Sequence, residues 1–172
     1  MATRNGSARW TGDLVTGSGQ VTIGESTWTG NYSFASRFED AAGTNPEELI
    51  AAAHAGCYSM ALCHTLTEAG HTPRSIKTSA RSYLRMVDGA PTINQIDLET
   101  EADAPGLDGA RFRELAEVAK ATCAVSRALQ GVEKITVTSA TLASPAVAGL
   151  SCDGRGGFRT CDLSRVKRAL SH

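Results

Sequence analysis

One segment, residues 45–70 (NPEELIAAAHAGCYSMALCHTLTEAG), constrains the fold more than any other, because it reads as a long helix with its start and stop written in. Asn45 is a good N-cap, Pro46 a good first helical residue, and Glu47 and Glu48 place negative charge where the helix dipole is positive. Gly70 supplies the left-handed stop. Between these ends the side chains are mostly small: Ala51, Ala52, Ala53, Ala55, Gly56, Ser59 and Ala61. A helix apolar over most of its circumference and built from small residues is predicted to be buried, with other backbone packed close against it. Cys57 lies at its middle. Taken alone it fits a small core residue, with a reactive thiol as the alternative.

The 172-residue chain as a whole fits one domain followed by a tail. With 41% hydrophobic residues, 20% charged residues and a net charge of −1, it has no general attraction for nucleic acid or membrane, and neither is expected as a partner. No uninterrupted apolar run reaches the roughly 18 residues of a bilayer span, because His54, Cys63 and His64 interrupt residues 45–70. The N-terminus, MATRNGSARWTGD, lacks the apolar core of a signal peptide, which predicts a cytoplasmic protein. Five cysteines, an odd number, argue against a structural disulfide framework in that compartment, so any disulfide is expected to be transient.

Residues 7–34 alternate in polarity and turn frequently, which predicts a three-stranded antiparallel meander with Trp10 and Trp28 anchoring its buried face. Residues 36–44 read as a polar loop carrying Arg37 between Phe34 and Phe38, and delivering the chain to Asn45. Two strands are expected over residues 76–87 and 92–102, joined by a hairpin at DGAP. Asp108 can cap a second helix over residues 109–129, with Phe112, Leu115, Val118 and Ala119 on its apolar face and Cys123 near its end. A last strand follows over residues 134–142.

Beyond it the composition changes. Residues 151–172 carry five basic side chains against Asp153 and Asp162, a balance of +3, so the rest of the chain carries −4. Leu163, Val166 and Leu170 could form a short amphipathic helix, but a flexible basic tail over residues 144–172 is the expectation, following a folded domain over residues 1–143. Cys152 and Cys161 have no second Cys/His pair at zinc-ligand spacing.

Several readings compete on the first helix. His54 and Cys57, three apart, share a face that would suit a cysteine nucleophile and its base, yet no third member is evident. Cys57 and His64 are separated by roughly 10 Å along the axis, too far to ligate one metal ion. Glu47 lies ten residues before Cys57, about 15 Å away along a straight helix. Cys63 falls about 240° round from Cys57 and is expected in the core.

The segment RFEDAAGTNPEELIAAAHAGCYSMAL, with Arg37 twenty and Glu47 ten residues before Cys57, together with KATCAVSRAL around Cys123, closely resembles the OsmC/Ohr family of thiol peroxidases. The arginine in the RFE loop favours the OsmC branch. The likeness covers about residues 7–142 and implies an α+β fold of antiparallel sheets and two main helices, one long and buried, in an intertwined homodimer with two equivalent interface sites. By resemblance, Cys57 is the peroxidatic cysteine, Cys123 resolves it, and Arg37 and Glu47 complete the catalytic set, with no cofactor and no metal. Two features depart from the family: Ala124 stands where a proline commonly follows the second cysteine, and the tail matches nothing in it.

The implied chemistry is consistent. A thiolate cleaves an organic or lipid hydroperoxide, and a guanidinium beside it stabilises the anion and polarises the O–O bond, while a carboxylate holds the planar fork. A second thiol traps the sulfenic acid as a disulfide before it oxidises further. Phe34, Phe38, Tyr58 and Met60 are expected around the site, favouring carbon-rich peroxides. The resemblance implies a dithiol reductant of the lipoyl type, with thioredoxin as the alternative. A redox-sensing binding protein using the same cysteines without fast turnover, a structural protein with buried thiols and a Cys-His hydrolase are the competing readings.

Overall fold

The computed structural model describes residues 3–143 in ten elements: β1 (Gly6–Thr11), β2 (Ser18–Ile23), β3 (Trp28–Ser33), α1 (Phe34–Phe38), α2 (Pro46–Glu68), β4 (Ser75–Val87), β5 (Ala90–Asp103), α3 (Gly109–Thr122), α4 (Ala124–Ala128) and β6 (Lys134–Leu142). The basic tail, with Cys152 and Cys161 and the amphipathic pattern at Leu163, Val166 and Leu170, lies outside the described residues.

The long helix forms as its punctuation dictates. The Asn45 side chain accepts from the Glu48 N–H at 2.8 Å, and Pro46 occupies the first helical position. At the other end Gly70 adopts φ 85°, which lets Gly70 N–H reach Thr67 O and His71 N–H reach Leu66 O, both at 2.9 Å. Only one stripe of α2 is buried, however: His54, Tyr58, Leu62 and Leu66, spaced by four, face the sheet and the second helix. Ala52, Ala53, Gly56, Met60, Cys63 and His64 are exposed on the other side. Cys63 is therefore not a core residue in a single chain, because it falls a third of a turn beyond the buried row. By length and composition alone α2 is also apolar enough to cross a bilayer, contrary to the sequence expectation. Its buried row nevertheless packs on β4 and α3 within the domain core.

That core lies between α2, α3 and one face of the sheet β4-β5-β6, where Leu98 and Ala102 of β5 meet Leu62, Leu66, Phe112, Leu115, Ala116 and Ala119. The β4–β5 hairpin turns at Asp88 and Gly89, both at positive φ, as a two-residue hairpin of this twist requires. Strand β6 pairs with β5 in parallel, so this sheet is mixed rather than wholly antiparallel. The reason is the connection: α3 and α4 carry the chain back across the sheet, as a parallel pair demands.

The meander β1-β2-β3 is antiparallel throughout, as read from the sequence. Its tryptophans are not buried anchors: Trp28 is 43% exposed, and half-buried Trp10 rests against Tyr32 with ring centroids 5.3 Å apart. The meander meets the rest of the chain mainly at α1 and the start of α2, which leaves its broad faces uncovered. Two other elements differ from expectation. The polar loop contains a helical turn, α1, closed by a Ser33–Ser36 capping box. The second helix breaks at Cys123, whose ψ of 123° separates α3 from α4, and Val118 turns outward while Ala116 takes the buried place.

Candidate active site

Two pairs of side chains singled out by the sequence form in the structure, one at the start of α2 and one at its middle. The first is Arg37 with Glu47. Ser36 Oγ donates to Thr44 O at 2.8 Å and Asn45 Nδ2 donates to Ser36 O at 3.1 Å, fastening α1 to the N-terminus of α2. That fastening aims Arg37 at Glu47: Nη2 donates to Oε1 at 2.7 Å, and Nε donates to both carboxylate oxygens at 3.1 and 3.2 Å. Glu47 is nearly buried while the arginine side chain is 34% exposed, so the carboxylate fixes a guanidinium whose Nη1 edge remains open among the described residues. The guanidinium also lies 5.1 Å from the Phe38 ring centroid, and Phe34 and Phe38 stack at 4.8 Å. A cleft of about 420 Å³ runs from this pair along Ala51 to Arg81, Tyr83 and Leu84.

The second pair is Cys57 with Cys123. The break at Cys123 brings its sulfur under α2, within hydrogen-bonding reach of the half-buried Cys57 thiol. Cys123 makes no close side-chain cap on α4. At the longer reach of a sulfur acceptor, the Ser126 and Val125 N–H groups and the Ser126 hydroxyl instead surround it. Burial pushes the Cys57 thiol up from its ordinary value, and the adjacent Cys123 adds to this, against the pull of the Val125 and Ala124 N–H groups. Burial also opposes ionisation of Cys123, but the Ser126 backbone and hydroxyl, the Cys57 thiol and the Val125 N–H outweigh it and hold that thiol below its usual range. In one chain, then, the surrounding donors favour an anion at Cys123 over one at Cys57. Within one chain Arg37 does not reach Cys57, because it is engaged with Glu47, about ten residues of helix away.

The other candidates are placed elsewhere. His54 is fully enclosed and its Nε2 lies 2.7 Å from Ser126 Oγ, so it does not pair with Cys57 as a hydrolase base would. Its Nδ1 has no partner among the described residues. Tyr58 is a core residue whose hydroxyl donates to Ala116 O at 3.0 Å, and Met60 is 76% exposed on the open side of α2; neither lines the cleft. Sequence reading missed Ala124, Val125 and Ser126, whose N–H groups and hydroxyl favour the anions of the two sulfurs. Ser126 three residues after a helix-initiating Cys123 was the available signal, hidden because residues 109–129 read as one uninterrupted helix.

The OsmC-like protein family model matches residues 39–138, a span that contains Glu47, Cys57 and Cys123. The chain is 45% identical over 128 residues to Peroxiredoxin OsmC of Escherichia coli (strain K12), covering 74% of this chain and 90% of that protein. Among solved structures it is similar to an OsmC-like protein from Mycoplasma pneumoniae, at a TM-score of 0.63 and 17% identity, with 83% of this chain and 99% of that one covered. It is also similar to the organic hydroperoxide resistance protein OhrB of Bacillus subtilis, at a TM-score of 0.59 and 24% identity, with 81% and 98% covered. The α+β arrangement of two sheets and few helices agrees with these folds, and the chain belongs to the OsmC-like protein family.

Proposed function

We propose that this protein is a cysteine peroxidase that reduces organic and lipid hydroperoxides to alcohols in oxidative-stress defence. The observation that carries the reading is the meeting of Cys57 and Cys123, sixty-six residues apart, in a chain 45% identical to a peroxiredoxin. The Cys57 thiolate attacks the terminal oxygen of ROOH; an S–O bond forms, the O–O bond breaks, and the alkoxide leaves and takes up a proton. Cys57 is thereby oxidised to a sulfenic acid and the peroxide reduced to an alcohol. The Cys123 sulfur then attacks the Cys57 sulfur, the S–O bond breaks, and hydroxide departs and is protonated to water. A dithiol reductant, of the lipoyl type in preference to thioredoxin, returns both thiols, and a reducing cytoplasm is the setting such a cycle requires.

Favouring the anion at Cys57 over Cys123 calls for a positive charge at Cys57. The uncommitted edge of Arg37 is the group suited to it, but within one chain about 15 Å of α2 separates Glu47 from Cys57. In this reading a second copy supplies it: the protein acts as a homodimer, with the Arg37–Glu47 pair of one protomer completing the Cys57–Cys123 site of its partner. The open side of α2, from Ala52 and Ala53 through Gly56 to Met60, and the uncovered meander support that assembly. The peroxidase unit is residues 1–143, with residues 144–172 as a basic tail.

The deciding experiment measures steady consumption of cumene hydroperoxide with dihydrolipoamide, and with thioredoxin in parallel, for wild type, Cys57→Ser and Cys123→Ser. Cys57→Ser is expected to lose turnover by about a thousandfold or more. Cys123→Ser is expected to perform a single turnover and accumulate the sulfenic acid. Wild-type turnover in Cys57→Ser would end the proposal, and stoichiometric oxidation without turnover would instead identify a sensor.

A further inference from the structure

One buried titratable side chain has no part in the cycle above, and its hydrogen bonds lead to the resolving sulfur. His54 sits on α2 one turn before Cys57, fully enclosed. Its Nε2 is 2.7 Å from Ser126 Oγ, while Nδ1 meets no partner among the described residues. Ser126 is the third residue of α4, directly after the break at Cys123, and its hydroxyl and N–H both face the Cys123 sulfur.

The tautomer follows from these contacts. Enclosure keeps the imidazole neutral, with a single N–H to place. A proton on Nδ1 would be a buried donor with no acceptor, whereas a proton on Nε2 finds the serine oxygen and leaves only an unpaired acceptor behind, the smaller loss. With Nε2–H donating, Ser126 Oγ is the acceptor. Its own hydrogen is then free to point at Cys123 Sγ, whose anion it favours.

Resting on the peroxidase reading, we infer that His54 and Ser126 form a relay, Nε2–H to Oγ–H to Sγ, that holds Cys123 as the nucleophile of the disulfide-forming step. Ser126 touches the reacting sulfur; His54 is a positioning residue that acts through Ser126. In that step the Cys123 thiolate donates an electron pair to the Cys57 sulfur, the S–S bond forms and the S–O bond breaks. Hydroxide leaves and is protonated to water, so no further oxidant is needed. The hydroxyl donor steadies the thiolate until the sulfenic acid arises beside it. Removing either member spares the attack on peroxide and impairs the trapping of its product.

The test separates the two steps in the full-length protein: rapid-quench intact mass after one equivalent of cumene hydroperoxide follows the sulfenic acid, the disulfide and the over-oxidised sulfinic acid. For Ser126→Ala and His54→Phe, sulfenic acid formation is expected not to slow, disulfide formation is expected to slow about tenfold or more, and sulfinic acid is expected to accumulate. His54→Gln, which offers an N–H near the position of Nε2, is expected to restore disulfide formation to within about threefold of wild type. The relay is overturned if Ser126→Ala resolves at the wild-type rate, if both steps slow in proportion, or if His54→Gln is as slow as His54→Phe. Should His54→Phe fail to fold, Ser126→Ala decides the matter by itself. Absence of sulfenic acid at Cys57 in the wild type would count against the peroxidase reading instead, so the two failures are distinguishable.

Discussion

At the scale of single residues, the two thiols matter less as individuals than as neighbours that titrate together. Cys57 is raised by burial and by its neighbour, and Cys123 is lowered by the donors of the following turn, so the position of the anion depends on which donors are present. His54 has a separate effect on stability. Its folded-state pKa lies below an imidazole's ordinary 6.5 because burial disfavours the cation. As pH falls through 6.5 the unfolded chain binds a proton that the folded chain refuses, so the stability this neutral histidine contributes is complete above 6.5 and is lost as the pH drops towards the folded value. Urea denaturation between about pH 7 and pH 5 is expected to show a loss of stability in wild type that is smaller in His54→Gln. An equal loss in both proteins would place the acid sensitivity elsewhere.

At the scale of elements, the junction of α3 and α4 shapes the site. Nothing in KATCAVSRAL compels a break: there is no glycine and no proline, and every residue is tolerated in a helix. The chain nevertheless leaves the helical conformation at Cys123 and resumes it at Ala124. Ala124 is the first residue of α4, where a proline is sterically welcome, and the φ of −59° and ψ of 123° at Cys123 are those a residue before proline prefers. The backbone therefore accepts Ala124→Pro without rearrangement, with a gain of about 0.5 kcal/mol from a stiffer unfolded chain. The same substitution deletes an N–H that favours the Cys57 anion. Chemical denaturation of Ala124→Pro is expected to show unchanged or slightly higher stability, while its Cys57 alkylates more slowly with iodoacetamide at neutral pH. Destabilisation by several kcal/mol would mean that the N–H serves the fold and not the sulfur.

At the scale of the whole molecule, the single chain is incomplete in a consistent way. Its meander leaves Trp28 and Ile23 exposed, its long helix buries one stripe and exposes Met60 and Cys63, and its Arg37–Glu47 pair sits at the start of that helix while Cys57 lies at its middle. Exposed apolar surface of this kind marks an interface. Two copies of the 18.0 kDa chain are expected to co-elute in size-exclusion chromatography with light scattering, at twice the chain mass. The shared site has a sharper signature. Arg37→Met and Cys57→Ser should each be inactive alone, yet mixing them under subunit exchange should restore activity. Each heterodimer would then own one site with both native groups. No recovery, with exchange demonstrated by mass, would place both groups in one chain's site and remove the composite arrangement.

What the sequence determined by itself was local: the caps and length of α2, the meander and the Asp88–Gly89 hairpin. Each of these depends on propensities and periodicities acting over a few residues, so each is legible without the fold. The tertiary structure decided what those rules leave degenerate. It broke a uniform helix at Cys123, turned His54 from Cys57 towards Ser126, ran β6 parallel to β5, and set Trp10, Trp28, Cys63 and Met60 on surfaces that local pattern reads as interior. In every case the deciding energy is a contact between residues far apart in sequence, and such contacts do not exist until the chain has closed on itself.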